Sequence, residues 1–466
     1  MNTGINCTVF NASRNVLLFC IAQCVITSLI FFSTGCSSNI HSFLSELPSG
    51  YPASFDDGPV CTNPFGAAVN TYSVFFNYRG MIYIGPSPDA ASFVRFSPDG
   101  TNKETVLFTI NGDGATTAAM NPGPDSETGI DCFTTGSIGG TEYLFLGPAK
   151  SGGDLNYLYY TTDSSANLNF YYMDVSGALT ATTSGTESLF VYYNKLYAGY
   201  AATSTRPLFL KISTIASVPS LTNLQATSMP RIGDGGTNPN TATRVGIDMM
   251  REYNGLLFIA NGGGAALNSD GGIVSSTNTD PGNYNGQPTD WDTTLTPTGV
   301  APWQNGGTRY SIELTTMNNI TPSQKAFPAQ GVFNSVLYIA RNTTDGPQIW
   351  AYNGSAFSLV ADNGSGISNM GQSSNTRITM LTVNGDRLYI GFDNATEGIQ
   401  IYRTVPGVTA PAAQSDFEQV SSSGLGYGAA NEKIFHAISV PDGGLDYVWV
   451  LCGKSGGTMY VFRTSN

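Results

Sequence analysis

Four kinds of residue in this 466-residue chain have types and spacings that would do chemistry. The first is a thiol. Cys36 follows Thr34 and Gly35 at the end of an apolar run, and small residues there let the chain pass extended through a peptidase site. A cysteine freed as a new N-terminus is then open to alkylation by diacylglycerol. The second is a carboxylate pair, Asp290 and Asp292, on either side of Trp291. In an extended segment both acids point to one face and the indole to the other. A glycosidase needs two facing acids, but the same tripeptide also reads as a polar turn in a long loop. The third is a set of oxygen-rich turns, Asn111-Gly112-Asp113-Gly114, Asn268-Ser269-Asp270-Gly271 and Asp362-Asn363-Gly364-Ser365. Calcium takes such donors, although none has the spacing of an EF-hand loop and Asx-Gly is also what tight hairpins require. The fourth is a group of aromatics in one long interval: Trp291, Trp303 and Tyr310. Exposed, they would stack on a sugar or anchor a protein partner; buried, they would cover one end of the fold.

Other chemistry is disfavoured. The two histidines, His41 and His436, stand far apart, which argues against a Ser-His-Asp triad or a multi-histidine metal site. Arginines are scattered singly, at Arg79, Arg206, Arg251, Arg341 and Arg403 among others. The net charge of −13 comes without any Lys/Arg cluster, so nucleic acid is not a partner to expect. Beyond Cys36 three cysteines remain, Cys61, Cys132 and Cys452, enough for one bridge (Cys61–Cys132) or for three buried thiols. No catalytic set assembles, and calcium at the turns above is the sole cofactor to weigh. The chain reads as a binding protein more than as an enzyme.

The elements that position these residues begin with the N-terminal segment. One cation, Arg14, precedes the apolar run Val16 to Phe32, and small residues follow it, which are the marks of an export signal. Ser33-Thr34-Gly35-Cys36 resembles the bacterial lipoprotein signal, with Ser33 where that family usually has Leu, and the resemblance implies that Cys36 carries the lipid. Two other readings stay open: an ordinary signal cut near Ser33, or an uncleaved anchor helix, since the run would span ~26 Å as a helix. All three place the rest of the chain outside the cytoplasm. Residues 1–35 are read as signal peptide, 36–50 as lipidated N-terminus and tether, and 51–466 as the folded domain. Ser37 favours sorting to the outer membrane or cell surface.

The folded domain is expected to be all-β. Gly is abundant at 54 residues, charged residues make up only 11%, and short runs of Val, Ile, Thr, Tyr and Phe alternate with Gly, Asn and Asp. One phrase recurs: an apolar run, a turn, an aromatic strand ending in Gly or Ala, a polar loop, and a second aromatic strand. Examples are VFFNYRGMIYIG from Val74 and LTVNGDRLYIG from Leu381 with GIQIYRT. Aligned on Tyr83, Phe145, Tyr197, Phe258, Tyr338, Tyr389 and Leu451, the copies number seven. Each interval holds a four-stranded blade with its loops, so the expectation is a seven-bladed β-propeller. The last copy ends early, and a strand from residues near Pro52 to Thr62 would complete it and join the termini.

The LYIG and GxQIWxY phrasing resembles kelch-like and Asp-box-like propeller repeats of secreted bacterial proteins, with Ser97-Pro98-Asp99-Gly100-Thr101 as a fragment of an Asp-box. The resemblance implies fold alone and carries over no active residue. The functional expectation is a monomeric, membrane-anchored envelope or cell-surface lipoprotein whose propeller binds a protein or glycan partner. The alternatives are an extracellular glycan-active hydrolase or lyase using carboxylates, and a structural subunit of an envelope complex.

Overall fold

The structure, a computed structural model, describes residues 55, 58–66, 74–87, 92–112, 115–117, 129–149, 157–165, 167–175, 183–202, 208–217, 220–228, 247–261, 272–281, 290–292, 327–343, 346–361, 370–442, 445–454 and 456–464. All of them belong to one compact unit, Ser54–Ser465.

Strands carry the fold. The only helical turns among the described residues are three short 3-10 stretches between Gln414 and Ala430. The chain starts with β1 (Cys61–Thr62), β2 (Val74–Tyr78), β3 (Met81–Gly85), β4 (Ser92–Phe96), β5 (Lys103–Gly112) and β6 (Ala115–Thr117). It continues with β7 (Gly129–Ile138), β8 (Thr141–Ala149), β9 (Tyr157–Thr161) and β10 (Asn167–Asp174). Strands β2 to β10 form one nine-stranded sheet, in which the meander β2-β3-β4-β5 meets the meander β7-β8-β9-β10 through a parallel β5–β10 pair. Five sheets of four strands complete the fold. They comprise β11 (Thr183–Tyr192), β12 (Lys195–Ala202), β13 (Leu208–Ser217) and β14 (Ser220–Ser228), then β15 (Ile247–Tyr253), β16 (Leu256–Asn261), β17 (Gly272–Ser276) and β18 (Trp291–Asp292). Next come β19 (Gln330–Phe333), β20 (Val336–Thr343), β21 (Gly346–Tyr352) and β22 (Phe357–Ala361), and β23 (Arg377–Asn384), β24 (Arg387–Asp393), β25 (Gln400–Thr404) and β26 (Phe417–Gln419). The last contains β27 (Lys433–Asp442), β28 (Leu445–Gly453) and β29 (Met459–Arg463), with β1 at its edge.

The fold is an all-β propeller. The first strands of successive meanders, β2, β7, β11, β15, β19, β23 and β27, each touch the next, and β27 touches β2. The pairing corrects one expectation: it gives five separate four-stranded sheets, not seven, because the first two meanders merge along their outer strands. That merger hides two sheet edges, which are otherwise templates for aggregation. At the closure, β1 pairs antiparallel with β29, placing Cys61 opposite Val461 and Thr62 opposite Tyr460. Met459 and Asn63 add two further bonds, Asn63 N to Met459 O at 2.8 Å and Met459 N to Asn63 Oδ1 at 3.0 Å.

Register explains the repeat. In each hairpin between first and second strands, one second-strand aromatic is buried: Tyr83, Phe145, Tyr197, Phe258, Tyr338, Tyr389 and Trp449. The last copy therefore aligns on Trp449 and not on Leu451. A hydrogen bond fixes this. Leu257, Leu388 and Val448, each one residue before the aromatic, donate their N–H to Ser276 Oγ (2.9 Å), Thr404 Oγ1 (3.1 Å) and Thr464 Oγ1 (3.1 Å). Two residues after the aromatic, six of the seven hairpins have Gly or Ala, and the last has Leu451. A Cβ on Gly199 would lie 2.6 Å from Ile247 Cβ, and one on Gly391 would lie 2.5 Å from Ile434 Cδ1. The first strand of the next sheet presses on both positions.

The singly scattered cations also fall into register. Arg95, Lys211, Arg403 and Arg463 stand on third strands opposite Tyr83, Tyr197, Tyr389 and Trp449. Arg95 pairs with Glu104 and Arg403 with Glu418 on the fourth strand, both at 2.6 Å, while Lys211 pairs with Asp280 at 2.6 Å.

Candidate functional site

Among the described residues, six first-to-second-strand hairpins close with two-residue turns that need positive φ at their first position. Gly139, Asn254, Asn334 and Gly385 supply it, and so do Arg79 and Tyr193. These tips are tied to one another. Tyr192, the last residue of β11, donates its hydroxyl to Gly255 O in the next tip at 2.7 Å, and Tyr253, the last residue of β15, donates to Ser335 O at 2.6 Å. Asn384, at the end of β23, donates to Asp446 O at 3.0 Å. Three pairs of neighbouring tips are thus held together along one rim.

A cavity of about 450 Å³ opens at this rim. Three consecutive sheets line it: Phe190 from β11, Arg251, Glu252 and Tyr253 from β15 with Asn254 of its turn, and Val332 of β19 with Ser335. Arg251 is half-buried, and no hydrogen bond or ion pair holds its guanidinium among the described residues. Burial draws its pKa down and the neighbouring Glu252 draws it up; a guanidinium remains charged under either influence. The cavity therefore offers a cation, an aromatic wall and the amide of Asn254.

A second polar cluster sits at the opposite ends of these strands. Gln400 Oε1 accepts from Asn375 Nδ2 (2.9 Å) and from the Tyr402 hydroxyl (2.8 Å), and its Nε2 donates to Glu397 (3.0 Å) and to Ser423 Oγ (3.1 Å). Gln348 repeats the arrangement one sheet earlier, accepting from Trp350 Nε1 (3.1 Å) and from Arg341 (2.8 Å). Gly-x-Gln-Ile-aromatic is thus a packing motif, with its amide holding the aromatic two residues on.

Trp291 is 2% exposed and packs with Tyr192, Tyr197 and Leu257 beneath β18. An exposed Trp291 is thereby corrected: a two-residue pairing with β17 folds its ring inward. Trp303, Tyr310 and Cys36 lie outside the described residues. Asp290 accepts from Asn278 Nδ2 at 3.0 Å, a turn contact. The calcium-type turns at 268–271 and 362–365 lie outside the described residues, as do Asp113 and Gly114. The Ser97–Thr101 fragment forms a hydrogen-bonded turn. Ser97 Oγ donates to Asp99, Thr101 N donates to Asp99 Oδ1 at 3.0 Å, and Asn102 N donates to Ser97 Oγ at 3.1 Å. The Ser97 bond, helped by those from Thr101, holds the Asp99 carboxyl below its usual range. Cys61, Cys132 and Cys452 are free thiols, so the Cys61–Cys132 bridge is not formed; Cys61 is half-exposed and the other two are buried. No helix among the described residues is long and apolar enough to cross a membrane.

Among known proteins, no family model matches the chain and no curated protein matches it. Solved structures do. The β-propeller domain of the trilobed protease from Pyrococcus furiosus is 7% identical, with 84% of this chain and 95% of that one covered and a TM-score of 0.44. The Cps50 (Swd1) β-propeller domain from Myceliophthora thermophila is 9% identical over 87% and 98%, with a TM-score of 0.44. A sialidase from Trypanosoma rangeli is 10% identical over 86% and 54%, with a TM-score of 0.41. None of these likenesses bears on chemistry, and the propeller assignment stands on the strand topology.

Proposed function

We propose that this protein is an exported lipoprotein, held to a membrane by lipid on Cys36, whose propeller binds a partner at the envelope or cell surface. The observation that carries the binding reading is the cavity at the hairpin rim. It is shaped by three sheets whose tips are locked together, and it presents a charged group that the fold does not itself use. Rigid scaffolds with a few convergent polar groups in a concave site are how proteins hold ligands. We count the propeller as seven-bladed, taking the nine-stranded sheet as two blades joined through β5 and β10. The common register of seven hairpins and the closed circuit of first strands support that count. The hydrolase reading needs two facing carboxylates, and Glu252 is the one carboxylate in the described lining of the cavity.

Two experiments test the proposal. The full chain, solubilised in detergent, is presented to envelope extract and to a glycan array; specific capture of a component is the expected result, and capture of nothing from either refutes binding as the function. Cells fed a palmitate analogue should label the wild type and not Cys36→Ala. Label that persists on the variant refutes the lipid assignment.

A further inference from the structure

Resting on the binding reading above, one position identifies the chemistry of the ligand. The residue opposite the buried aromatic of each hairpin is Phe76, Thr134, Phe190, Arg251, Gly331, Thr382 or Ile438. Six of the seven are neutral. Arg251 is the exception, it lines the cavity, and no described carboxylate pairs with it. A half-buried charge at a register position that elsewhere holds only neutral residues departs from the fold's own rule, and such departures concentrate at functional sites.

A second departure lies beside it. Tyr193 occupies the first turn position of its hairpin at φ 43°, where four other tips use Gly or Asn and one uses Arg79. A bulky side chain at positive φ is strained. Its ring is nonetheless 49% exposed and meets Tyr192 edge-on at 4.7 Å. Its hydroxyl would lie 3.6 Å from a Cβ on Gly255, the residue after cavity-lining Asn254. Strain is thus retained where an aromatic face stands near the cavity.

We propose that the cavity at the β11–β15–β19 rim binds the carboxylate of an acidic sugar residue, with Arg251 as the anion partner, Asn254 hydrogen-bonding a ring hydroxyl and Tyr193 stacking on the face of the same pyranose. A guanidinium fork matches a carboxylate in bidentate geometry. The amide has both a donor and an acceptor for a hydroxyl, and the aromatic face suits the C–H side of a pyranose. A carboxylate alone would need only the arginine; the aromatic and the amide favour a sugar over an acidic peptide.

The test is calorimetric titration of the detergent-solubilised full chain with methyl glucuronide, methyl glucoside and N-acetylglutamate. The glucuronide should bind at least about tenfold more tightly than the glucoside, the scale of one charge-assisted contact. Arg251→Met should erase that preference and Arg251→Lys should keep part of it. Tyr193→Asn, which relieves the φ strain, should weaken both sugars while leaving the melting temperature equal or higher; this variant tests the site even if Arg251→Met does not fold. Equal affinity for the two sugars on the wild type, a preference that survives Arg251→Met, or N-acetylglutamate binding as tightly as the glucuronide would each overturn the proposal. Specific capture from envelope extract that is unchanged in Arg251→Met would overturn it too, while leaving the binding function intact.

Discussion

Asn342 and Asp393 occupy the same register in successive sheets and perform the same task. Asn342 accepts the N–H of Ile378 at 2.9 Å and donates to its carbonyl at 3.0 Å. Asp393 accepts the N–H of Ile434 at 3.0 Å and the hydroxyl of Thr379 at 3.0 Å. Each ties the end of a second strand to the first strand of the next sheet, whereas Asp248, on the first strand β15, accepts the N–H of Phe327, ahead of β19, at 3.1 Å. The difference is charge. Burial raises the Asp393 carboxyl from 3.8 to about 6, only partly opposed by the bonds from Ile434 and Thr379.

A pH-dependent prediction follows from that rise. The folded state holds the Asp393 proton more tightly than the unfolded chain, so this group contributes stability below pH 4 and loses it as pH rises to about 6. Asp393→Asn, which reproduces the Asn342 side chain, should be more stable than wild type by about 1–3 kcal/mol above pH 6. The advantage should vanish near pH 4. Urea midpoints of both proteins across pH 4–7 read this; a gap that does not change with pH contradicts it.

Thr404 offers a test of the register lock. Its hydroxyl accepts the buried N–H of Leu388, so Thr404→Val strands that donor and should cost about 1–3 kcal/mol. Thr404→Ser should recover most of the loss. Equal stability of the Val and Ser variants in urea would show that the bond is idle.

Close packing between sheets is tested at Gly391. Gly391→Ala drives a methyl toward Ile434 Cδ1 and should destabilise by about 1–3 kcal/mol. Ile434→Val removes that Cδ1 atom. In the double variant the losses should fall short of additive, and a double-mutant cycle by thermal unfolding measures the coupling. Strict additivity would place the strain elsewhere, for instance at Met380.

The rim bond between Tyr253 and Ser335 is the fourth case. Tyr253→Phe keeps the ring contacts with Phe258 and Tyr352 and loses only the hydroxyl. A loss of about 1 kcal/mol is expected. Hydrogen exchange should quicken at the 333–336 tip before it does elsewhere; uniform acceleration would mean that the bond serves the whole fold and not the rim.

Much of this architecture was legible in the sequence, and the failures have physical causes. The aromatic column was visible because period-two alternation and a following Gly or Ala mark a packed second strand. Its last member was misaligned because Leu-Cys-Gly near the end of β28 imitates the Tyr-Ile-Gly of other copies, and it takes the Thr464 bond and the pairing with Ile438 and Arg463 to place Trp449 in register. The cation column went unread as scattered arginines, since the spacing of third strands varies with loop length. Trp291 looked available because nothing local shows that so short a strand folds inward. The parallel joining of β5 and β10 brings together Leu107 and Asn167, a pairing that no local pattern encodes. The cavity was invisible for the same reason: Phe190, Arg251 and Val332 are neighbours only after three sheets have assembled.

The clasp between β1 and β29 has a consequence in time. Asn63 and Met459, which bond across it, are 396 residues apart. β1 therefore waits for its partner β29, and contacts of such separation are the slowest to form. Until β29 is made, β1 has no edge to pair with and the sheet of β27 and β28 lacks its two outer strands. The arrival of that one late strand is what lets the early one find its place.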